Sequence, residues 1–282
     1  MTDAVRVGGV PEHFNLPWIE ALEAGAFDHL DRDVEWIDHP EGTGSLIEAL
    51  ESGEIDMATP LTEGIVTSIA NGARCRILGG WVSSPLLWGV HVAAASAASS
   101  IADVIGARFA ISRYGSGSEL MARVLAAQHG WSLTDDSFVV VGGLAGALEA
   151  LPSGRAETFL WSRSMTQPHV DDGTFRRIAD VVTPWPSLVT AVGGQMLSDA
   201  PALAVAIADV ASAHAREIAA DPDTPRRVAE RYGLDLEGAT RWFEHVRWAD
   251  RSIDAAVIDE ISSTMLELGR IDHQPRAEDV LA

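Results

Sequence analysis

The sequence contains no lysine, so all 20 of its basic residues are arginines; 41 aspartates and glutamates oppose them, and the net charge is −21. Without lysine, the chain cannot form a P-loop, whose lysine contacts the nucleotide phosphates. The excess of acid also repels nucleic acids and anionic membranes. We therefore expect neither nucleic acid nor direct membrane insertion.

Cysteine is almost as scarce, since Cys75 is the only one in the sequence. A single cysteine excludes an internal disulfide. It begins an apolar run in "ARCRIL", which favours a small buried residue over a catalytic thiolate. The most continuous apolar stretch, 86–98, is interrupted by His91 and is too short to span a bilayer. No basic and apolar leader is recognisable near Met1. These features predict a cytoplasmic protein, or a periplasmic or extracellular one if an export signal has been removed.

Several catalytic and cofactor motifs are also missing. "GTGSLI" and "GGLAGA" lack the spacing of a dinucleotide fingerprint, and "YGSGS" does not fit the G-x-S-x-G elbow of hydrolases. No HExxH motif occurs, and the nine histidines are scattered. We predict no cofactor and no metal.

Strand and helix patterns alternate along the chain, which predicts an α/β protein. A first series runs from "VRVGGV" to "CRILGGWV", and a second begins near Ile101 with "ARFAISR". "EALESGEID" at 48–56 and "EALPSGRAE" at 149–157 match at an offset of 101 residues, and each contains a helix, a glycine and an acid before a strand. The pattern predicts two similar lobes, each a mainly parallel sheet flanked by helices, with further helices after Pro201.

The segments "VGGVPEHFNLPW", "EALESGEIDMATPLTEGIV" and "ISRYGSGSELMARVLAAQHGW" resemble the type II periplasmic-binding-protein-like family. The resemblance is to the branch that binds sulfonates, taurine, nitrate and thiamine precursors, and to a subgroup without export signals. It implies a two-lobed Venus-flytrap, with lobe 1 at 1–90 plus 188–282 and lobe 2 at 91–187. The ligand would lie in the cleft between the lobes, beyond the carboxyl ends of the strands.

The candidate ligand-binding residues lie in the turns predicted to follow the strands. Lobe 1 contributes Glu12, His13, Phe14, Asn15, Thr43, Ser45, Thr59, Thr62, Trp81 and Ser83, and lobe 2 contributes Ser112, Arg113, Tyr114, Ser116, Gly117, Ser118, Gly143 and Trp161.

Each group of candidates has an alternative interpretation. Glu12–Phe14 are interpreted as a ligand-binding lip, although a local turn with a packed histidine or a catalytic pair would use the same residues. In "SRYGSGSE", glycines, hydroxyls and a helix start suggest an anion site completed by Arg113, while Ser118 could simply cap the helix. The tryptophans are flat walls for a ligand or parts of the core.

The resemblance implies a soluble solute-binding protein, similar to the substrate-binding subunits of ABC transporters, that holds a small anionic or zwitterionic metabolite. Its transporter or regulatory partner, if any, is not identified by the sequence. The alternative is an enzyme of decarboxylase, lyase or desulfinase type on the same scaffold, in which Glu12 and His13 would be catalytic. The nucleophilic cysteine of the desulfinases is absent from "PEHFN", which argues against a desulfinase.

Overall fold

A computed structural model describes residues 4–282. The chain divides into two compact units, here called unit 1 (residues 1–84 and 185–282) and unit 2 (residues 85–184). The boundaries predicted from the sequence were 90/91 and 187/188. The first crossing precedes Leu87 because the strand that begins there pairs along its whole length within unit 2.

Eleven strands lie within the described residues. They are β1 (Val5–Gly9), β2 (Val34–Asp38), β3 (Met57–Ala58), β4 (Cys75–Val82), β5 (Leu87–Ala93), β6 (Phe109–Ile111), β7 (Phe138–Val140), β8 (Thr158–Ser162), β9 (Phe175–Val182), β10 (Leu188–Gly193) and β11 (Trp248–Arg251).

Twelve α-helices occur in the same part of the chain. They are α1 (Leu16–Glu23), α2 (Thr43–Ser52), α3 (Thr62–Ala70), α4 (Gly117–Gln128), α5 (Leu144–Ala150), α6 (Arg163–Asp171), α7 (Gly194–Asp199), α8 (Pro201–Ala220), α9 (Thr224–Tyr232), α10 (Leu236–His245), α11 (Ala255–Glu267) and α12 (Ala277–Val280).

The sheet of unit 1 has the strand order β11-β4-β10-β3-β1-β2. β1 pairs in parallel with β2 and β3, whereas β10 is antiparallel to β3 and β4, and β11 is antiparallel to β4. The α/β class is confirmed, but the sheet is mixed, not mainly parallel. β4 leads out of unit 1 and β10 leads back in, so the two strands run in opposite directions, with Leu188 opposite Val82.

Unit 2 repeats this arrangement in a five-stranded sheet of order β7-β6-β8-β5-β9. β6 is parallel to β7 and β8, while β5 is antiparallel to β8 and β9. The entering strand β5 and the departing strand β9 pair from Leu87 opposite Val182, which makes this sheet mixed for the same reason. One core of unit 2 packs Phe159 and Phe175 against small residues of α5.

The repeat at an offset of 101 residues corresponds to one structural unit that occurs twice. After α2 and α5 the chain turns through glycines with positive φ, Gly53 (73°) and Gly154 (70°). An acid then binds the arginine that precedes or begins the neighbouring parallel strand. Asp56 accepts hydrogen bonds from the backbone and side chain of Arg6, and Glu157 does the same for Arg108.

The backbones of β4 and β11 pack closely at Gly79. A Cβ atom placed on Gly79 would lie 2.3 Å from the carbonyl oxygen of Arg251 in β11, which is backbone and cannot rotate away. Overpacking of this kind costs roughly 1–3 kcal/mol, so Gly79→Ala should lower the free energy of unfolding by about 2 kcal/mol or more.

Gly53→Ala is the matched control, because Gly53 ends α2 with a positive φ and an added Cβ would meet only the side-chain Oε1 of Gln195, at 3.9 Å. Its cost should be about 1 kcal/mol, from the backbone conformation alone. Urea unfolding of both variants makes the comparison, and a smaller loss for Gly79→Ala than for Gly53→Ala would contradict the tight β4–β11 contact.

Candidate functional site

Three turns of unit 1 come together at one edge of its sheet. They follow β1, β2 and β3, which are parallel and therefore end at the same edge. Side chains join them directly: Thr59 Oγ1 donates to Asn15 Oδ1 at 3.0 Å, and the N–H of Leu61 donates to Thr43 Oγ1 at 2.9 Å. We call this surface the unit 1 edge, defined by the turns at 10–15, 39–45 and 59–63.

Asn15 is the hub of the unit 1 edge and is only 1% exposed. Its Oδ1 accepts hydrogen bonds from Thr59 and from the indole N–H of Trp81 at 3.1 Å, while its Nδ2 donates to the carbonyl of Val10 at 2.9 Å. Trp81 lies inside β4 with no exposed surface, so the prediction that it belongs to a turn after the strand is wrong. Asn15, Thr59 and Trp81 thus form a support behind the edge.

His13 is enclosed by aromatic rings that the sequence did not connect to it. Its ring stacks on Phe14 at 4.9 Å and meets the edges of Trp242 at 4.4 Å and Tyr232 at 5.8 Å. Burial lowers the pKa of His13 to about 3, so the imidazole is neutral near pH 7. Among the described residues, no partner lies within hydrogen-bond distance of its Nε2.

Glu12 is half-buried directly before His13, on extended backbone. Loss of solvent raises the pKa of its carboxyl to about 8, which keeps much of it protonated at neutral pH. In the part of the chain that the structure describes, no hydrogen bond joins the side chains of Glu12 and His13. The two predicted members of a catalytic pair are therefore neighbours in sequence without sharing a proton.

Glu63 is a further buried acid at the unit 1 edge, in the first turn of α3 and 1% exposed. Its Oε2 accepts the indole N–H of Trp185 at 2.8 Å, and its Oε1 has no partner among the described residues. Desolvation raises the pKa of Glu63 to about 7, although hydrogen bonds to the carboxylate oppose this shift. Glu63 is not among the residues selected from the sequence, because its burial depends on Trp185, which lies 122 residues away.

Most of the predicted hydroxyls of unit 1 are used within the protein. Ser45 Oγ pairs with Nδ1 of the buried His39 at 2.9 Å, and Thr62 Oγ1 donates to the carbonyl of Pro186 at 2.7 Å. Ser83 is exposed, and its hydroxyl donates to the carbonyl of Arg247. These side chains hold the turns in place, and a ligand would have to compete for their hydrogen bonds.

In unit 2, the turn between β6 and α4 has a different cap from the one considered in the sequence analysis. Ser116 is the N-cap, and its Oγ accepts the N–H of Glu119 at 3.4 Å. Ser118 Oγ instead accepts the N–H of Ser112 at 3.0 Å, so the interpretation of Ser118 as the cap is wrong. The buried Glu119 accepts the N–H of Gly115 and forms an ion pair with Arg123, which offsets its charge.

The same turn keeps donors that no described residue uses. The N–H groups of Gly117 and Ser118 begin α4 and have no acceptor within the described residues. Arg113 is half-buried, donates through one Nη to the carbonyl of Tyr114 at 3.1 Å, and pairs with no carboxylate of residues 4–282. We call Ser112–Ser118 the unit 2 turn. It combines a guanidinium that has no carboxylate partner among the described residues with two backbone donors that have no acceptor there.

The remaining unit 2 candidates lie close to strand ends. Gly143 precedes α5 with a φ of 153°, and its surroundings are open. Trp161 is half-buried within β8 and stacks on Phe159 at 5.2 Å, which makes it part core and part surface. Ser162 begins the turn into α6, and its buried Oγ has no partner in the described part of the chain.

Residues 4–282 contain neither a metal-binding cluster nor a membrane-spanning helix. No group of three or more histidine, cysteine, aspartate or glutamate side chains is arranged to hold a metal ion. No helix has both the length and the apolar character needed to cross a membrane.

Comparison with known proteins identifies the class. A crystal structure of the Candida albicans CA3427 gene product, which has the generic periplasmic-binding-protein fold, matches with a TM-score of 0.91 and 25% identity, over 99% of this chain and 96% of that one. The alkanesulfonate-binding protein SsuA of Xanthomonas axonopodis, bound to MOPS, matches with a TM-score of 0.78 and 19% identity, over 99% and 96%. The aliphatic sulphonate-binding protein SsuA of Escherichia coli matches with a TM-score of 0.73 and 16% identity, over 100% of this chain and 98% of that one.

The chain therefore has the periplasmic-binding-protein fold, as the sequence predicted. More narrowly, residues 88–181, within unit 2, match the family model described as Ca3427-like periplasmic binding protein. No curated protein matches the chain in sequence.

The supporting role of Asn15 can be measured. Asn15→Leu would leave the N–H of Trp81 and the hydroxyl of Thr59 without a partner, and it would remove one of the two hydrogen bonds to the carbonyl of Val10. Each unpaired buried group costs roughly 1–3 kcal/mol, so the free energy of unfolding should fall by about 3 kcal/mol or more. Thr59→Val, the control that removes a single donor, should cost about 1 kcal/mol. Equal losses in urea unfolding would show that Asn15 is not the hub.

Glu63 makes a pH-dependent contribution to stability. Its pKa rises from 4.5 to about 7 on folding, so the folded state binds the extra proton between these values. The contribution of Glu63 is complete below pH 4.5 and is lost as the pH rises toward 7. Glu63→Gln cannot ionise, so its stability relative to the wild type should increase over this range by on the order of 3 kcal/mol.

The measurement is the free energy of unfolding in urea at a series of pH values for the wild type and for Glu63→Gln. Other titrating groups are common to both proteins and cancel in the difference. Glu149→Gln, at an exposed carboxylate, is the control for the loss of one charge. Parallel curves for Glu63→Gln and the wild type would contradict the assignment of Glu63 as a buried acid.

Proposed function

We propose that this protein is a solute-binding protein for a small anionic or zwitterionic metabolite. The observation that carries the proposal is the unit 2 turn, where Arg113 has no carboxylate partner among the described residues beside two unused N–H groups. The similarity over nearly the whole chain to a protein described as binding alkanesulfonates supports it.

The unit 2 turn has the donors that an oxyanion requires. Backbone N–H groups at a helix start point toward a negative charge, and the helix dipole favours it. A guanidinium can add two parallel hydrogen bonds to a sulfonate, carboxylate or phosphate group. Because Glu119 is already paired with Arg123, its charge opposes an incoming anion less than an unpaired carboxylate would.

The unit 1 edge has features of its own that suit a ligand with an aromatic contact surface or a positive charge. Phe14, Trp242 and Tyr232 surround His13 with aromatic surface, and Glu12 is the adjacent acid. A positively charged amine near Glu12 would favour the ionised carboxylate and recover part of its desolvation cost. We therefore propose that a zwitterion such as an aminosulfonate binds more tightly than a simple sulfonate of the same size.

The enzyme hypothesis requires Glu12 and His13 to move a proton. A histidine whose pKa is about 3 is a weak base near pH 7, and its ring is packed against aromatic side chains and forms no bond to Glu12. Binding without turnover is therefore the function that we propose. The cytoplasmic location and the identity of any transporter or regulatory partner stay predictions from the sequence.

The test uses taurine and ethanesulfonate as probes in isothermal titration calorimetry. We expect taurine to bind the wild type more tightly than ethanesulfonate. Arg113→Ala should weaken binding of both by about ten- to a hundredfold, the equivalent of one charge-assisted hydrogen bond. Arg113→Lys should recover only part of the loss, because an ammonium lacks the planar fork.

Arg155→Ala is the control, since Arg155 is an exposed arginine of the same unit without a side-chain partner in the described residues. It should bind both probes as the wild type does. Unchanged affinity in Arg113→Ala would remove the unit 2 turn from the site. If the wild type converts either probe and His13→Asn does not, the protein is an enzyme and the proposed binding function is wrong.

A further inference from the structure

A pocket of about 650 Å³ lies in unit 1, away from the residues discussed above. It is formed by the loop before β4, the start of β4, the start of α7 and the segment around α12. The charged and histidine side chains that line it are Arg74, Arg76, His273, Arg276 and Asp279.

The pocket and the unit 1 edge are at opposite ends of the same sheet. Cys75, the first residue of β4, pairs with Gly193, the last residue of β10. In the neighbouring pair, Val192 lies opposite Met57, the first residue of β3. The pocket is therefore at the edge where β3 begins, whereas the turn that contains Thr59 follows its carboxyl end.

Several backbone contacts fix the shape of this pocket. The N–H of Ala282 donates to the carbonyl of Ile77 at 2.9 Å, so the chain's last residues are joined to β4. Asn71 Nδ2 donates to the carbonyl of Arg270 at 3.3 Å. A Cβ atom on Gly194 would lie 2.5 Å from the carbonyl oxygen of Arg74, which explains why glycine occupies that position.

The charge of the pocket differs from that of the whole protein. Three arginines face one aspartate in its lining, although acids outnumber arginines about two to one in the chain. Arg276 is neutralised by Glu278 and Asp279, and Arg76 donates one bond to the carbonyl of Cys75. Arg74 is exposed and has no hydrogen-bond or ion-pair partner within residues 4–282.

Arg74 and Arg76 are suited to act together. Both line the pocket, Arg74 from the bend before β4 and Arg76 as the second residue of the strand, on either side of the buried Cys75. Cys75 contributes apolar wall and no nucleophile, because burial raises the pKa of its thiol to about 12. The site therefore offers fixed positive charge without a reactive group.

We propose that this pocket is a second binding site, specific for a small organic dianion that Arg74 and Arg76 hold together. A phosphate monoester and a dicarboxylate share this chemistry, since both present oxygens to two guanidinium groups. The site is independent of the proposed function, because its residues lie at the other edge of the sheet.

The experiment follows backbone amide signals of the full chain by NMR during titration with inorganic phosphate, succinate and acetate. The signals of Gly72 and Gly194, which line the pocket, should shift and saturate with phosphate, succinate or both. Acetate should have much less effect because it carries one charge. Saturation by phosphate alone assigns a phosphate ligand, and saturation by succinate alone assigns a dicarboxylate.

Arg74→Ala and Arg76→Ala should each lower the affinity for the ligand that saturates the pocket by about tenfold. This is the effect of losing one charge-assisted contact in a partly solvated site. Arg216→Ala removes a comparable exposed arginine on α8 and should leave the affinity unchanged. Arg113→Ala should also leave it unchanged, which separates this site from the proposed function. Absence of saturation with both dianions, or wild-type affinity in Arg74→Ala and Arg76→Ala, would overturn the proposal.

Discussion

The unit 1 edge depends on one buried amide. Asn15 binds Val10 in its own turn, Thr59 after β3 and Trp81 in β4, so three segments of the chain are fixed by three hydrogen bonds. Because Thr59 and Trp81 are buried, water cannot satisfy their donors if Asn15 is lost. The rigid turn then presents Glu12 and His13 from a fixed position. Support of this kind is what allows a loop to carry a binding residue on a stable scaffold.

Local features of the fold could be predicted because their causes are local. Gly53 is the glycine that the repeat places after a helix, and it ends α2 with a positive φ. The match between 48–56 and 149–157 reflects a shared turn in which Asp56 or Glu157 binds an arginine. The mixed direction of the sheets was missed because it depends on how the chain crosses twice between units. Sequence spacing also could not reveal that Trp242 packs on His13, or that Trp185 buries Glu63, since these partners are more than a hundred residues apart. At the start of α4, Ser116 and Ser118 are equally good caps by residue type, and only the geometry distinguishes them.

The two candidate surfaces differ in the charges and donors that they offer to a ligand. The unit 1 edge contains two acids, Glu12 and Glu63, whose pKa values are raised by burial, a histidine that burial keeps neutral, and the exposed Glu41. The unit 2 turn instead has a guanidinium without a carboxylate partner and backbone donors without an acceptor among the described residues. A surface with raised acid pKa values suits a ligand that brings positive charge, and a surface with free donors suits an oxyanion.

We propose that the protein holds a small molecule and releases it unchanged. Native mass spectrometry of the protein, incubated with the small-molecule fraction of its source cells, tests this most directly. We expect one adduct per chain, of metabolite size, whose mass is the same after the protein is denatured and the ligand is freed. A chain that acquires no adduct, or one that releases a molecule chemically different from the one it took up, would contradict the account.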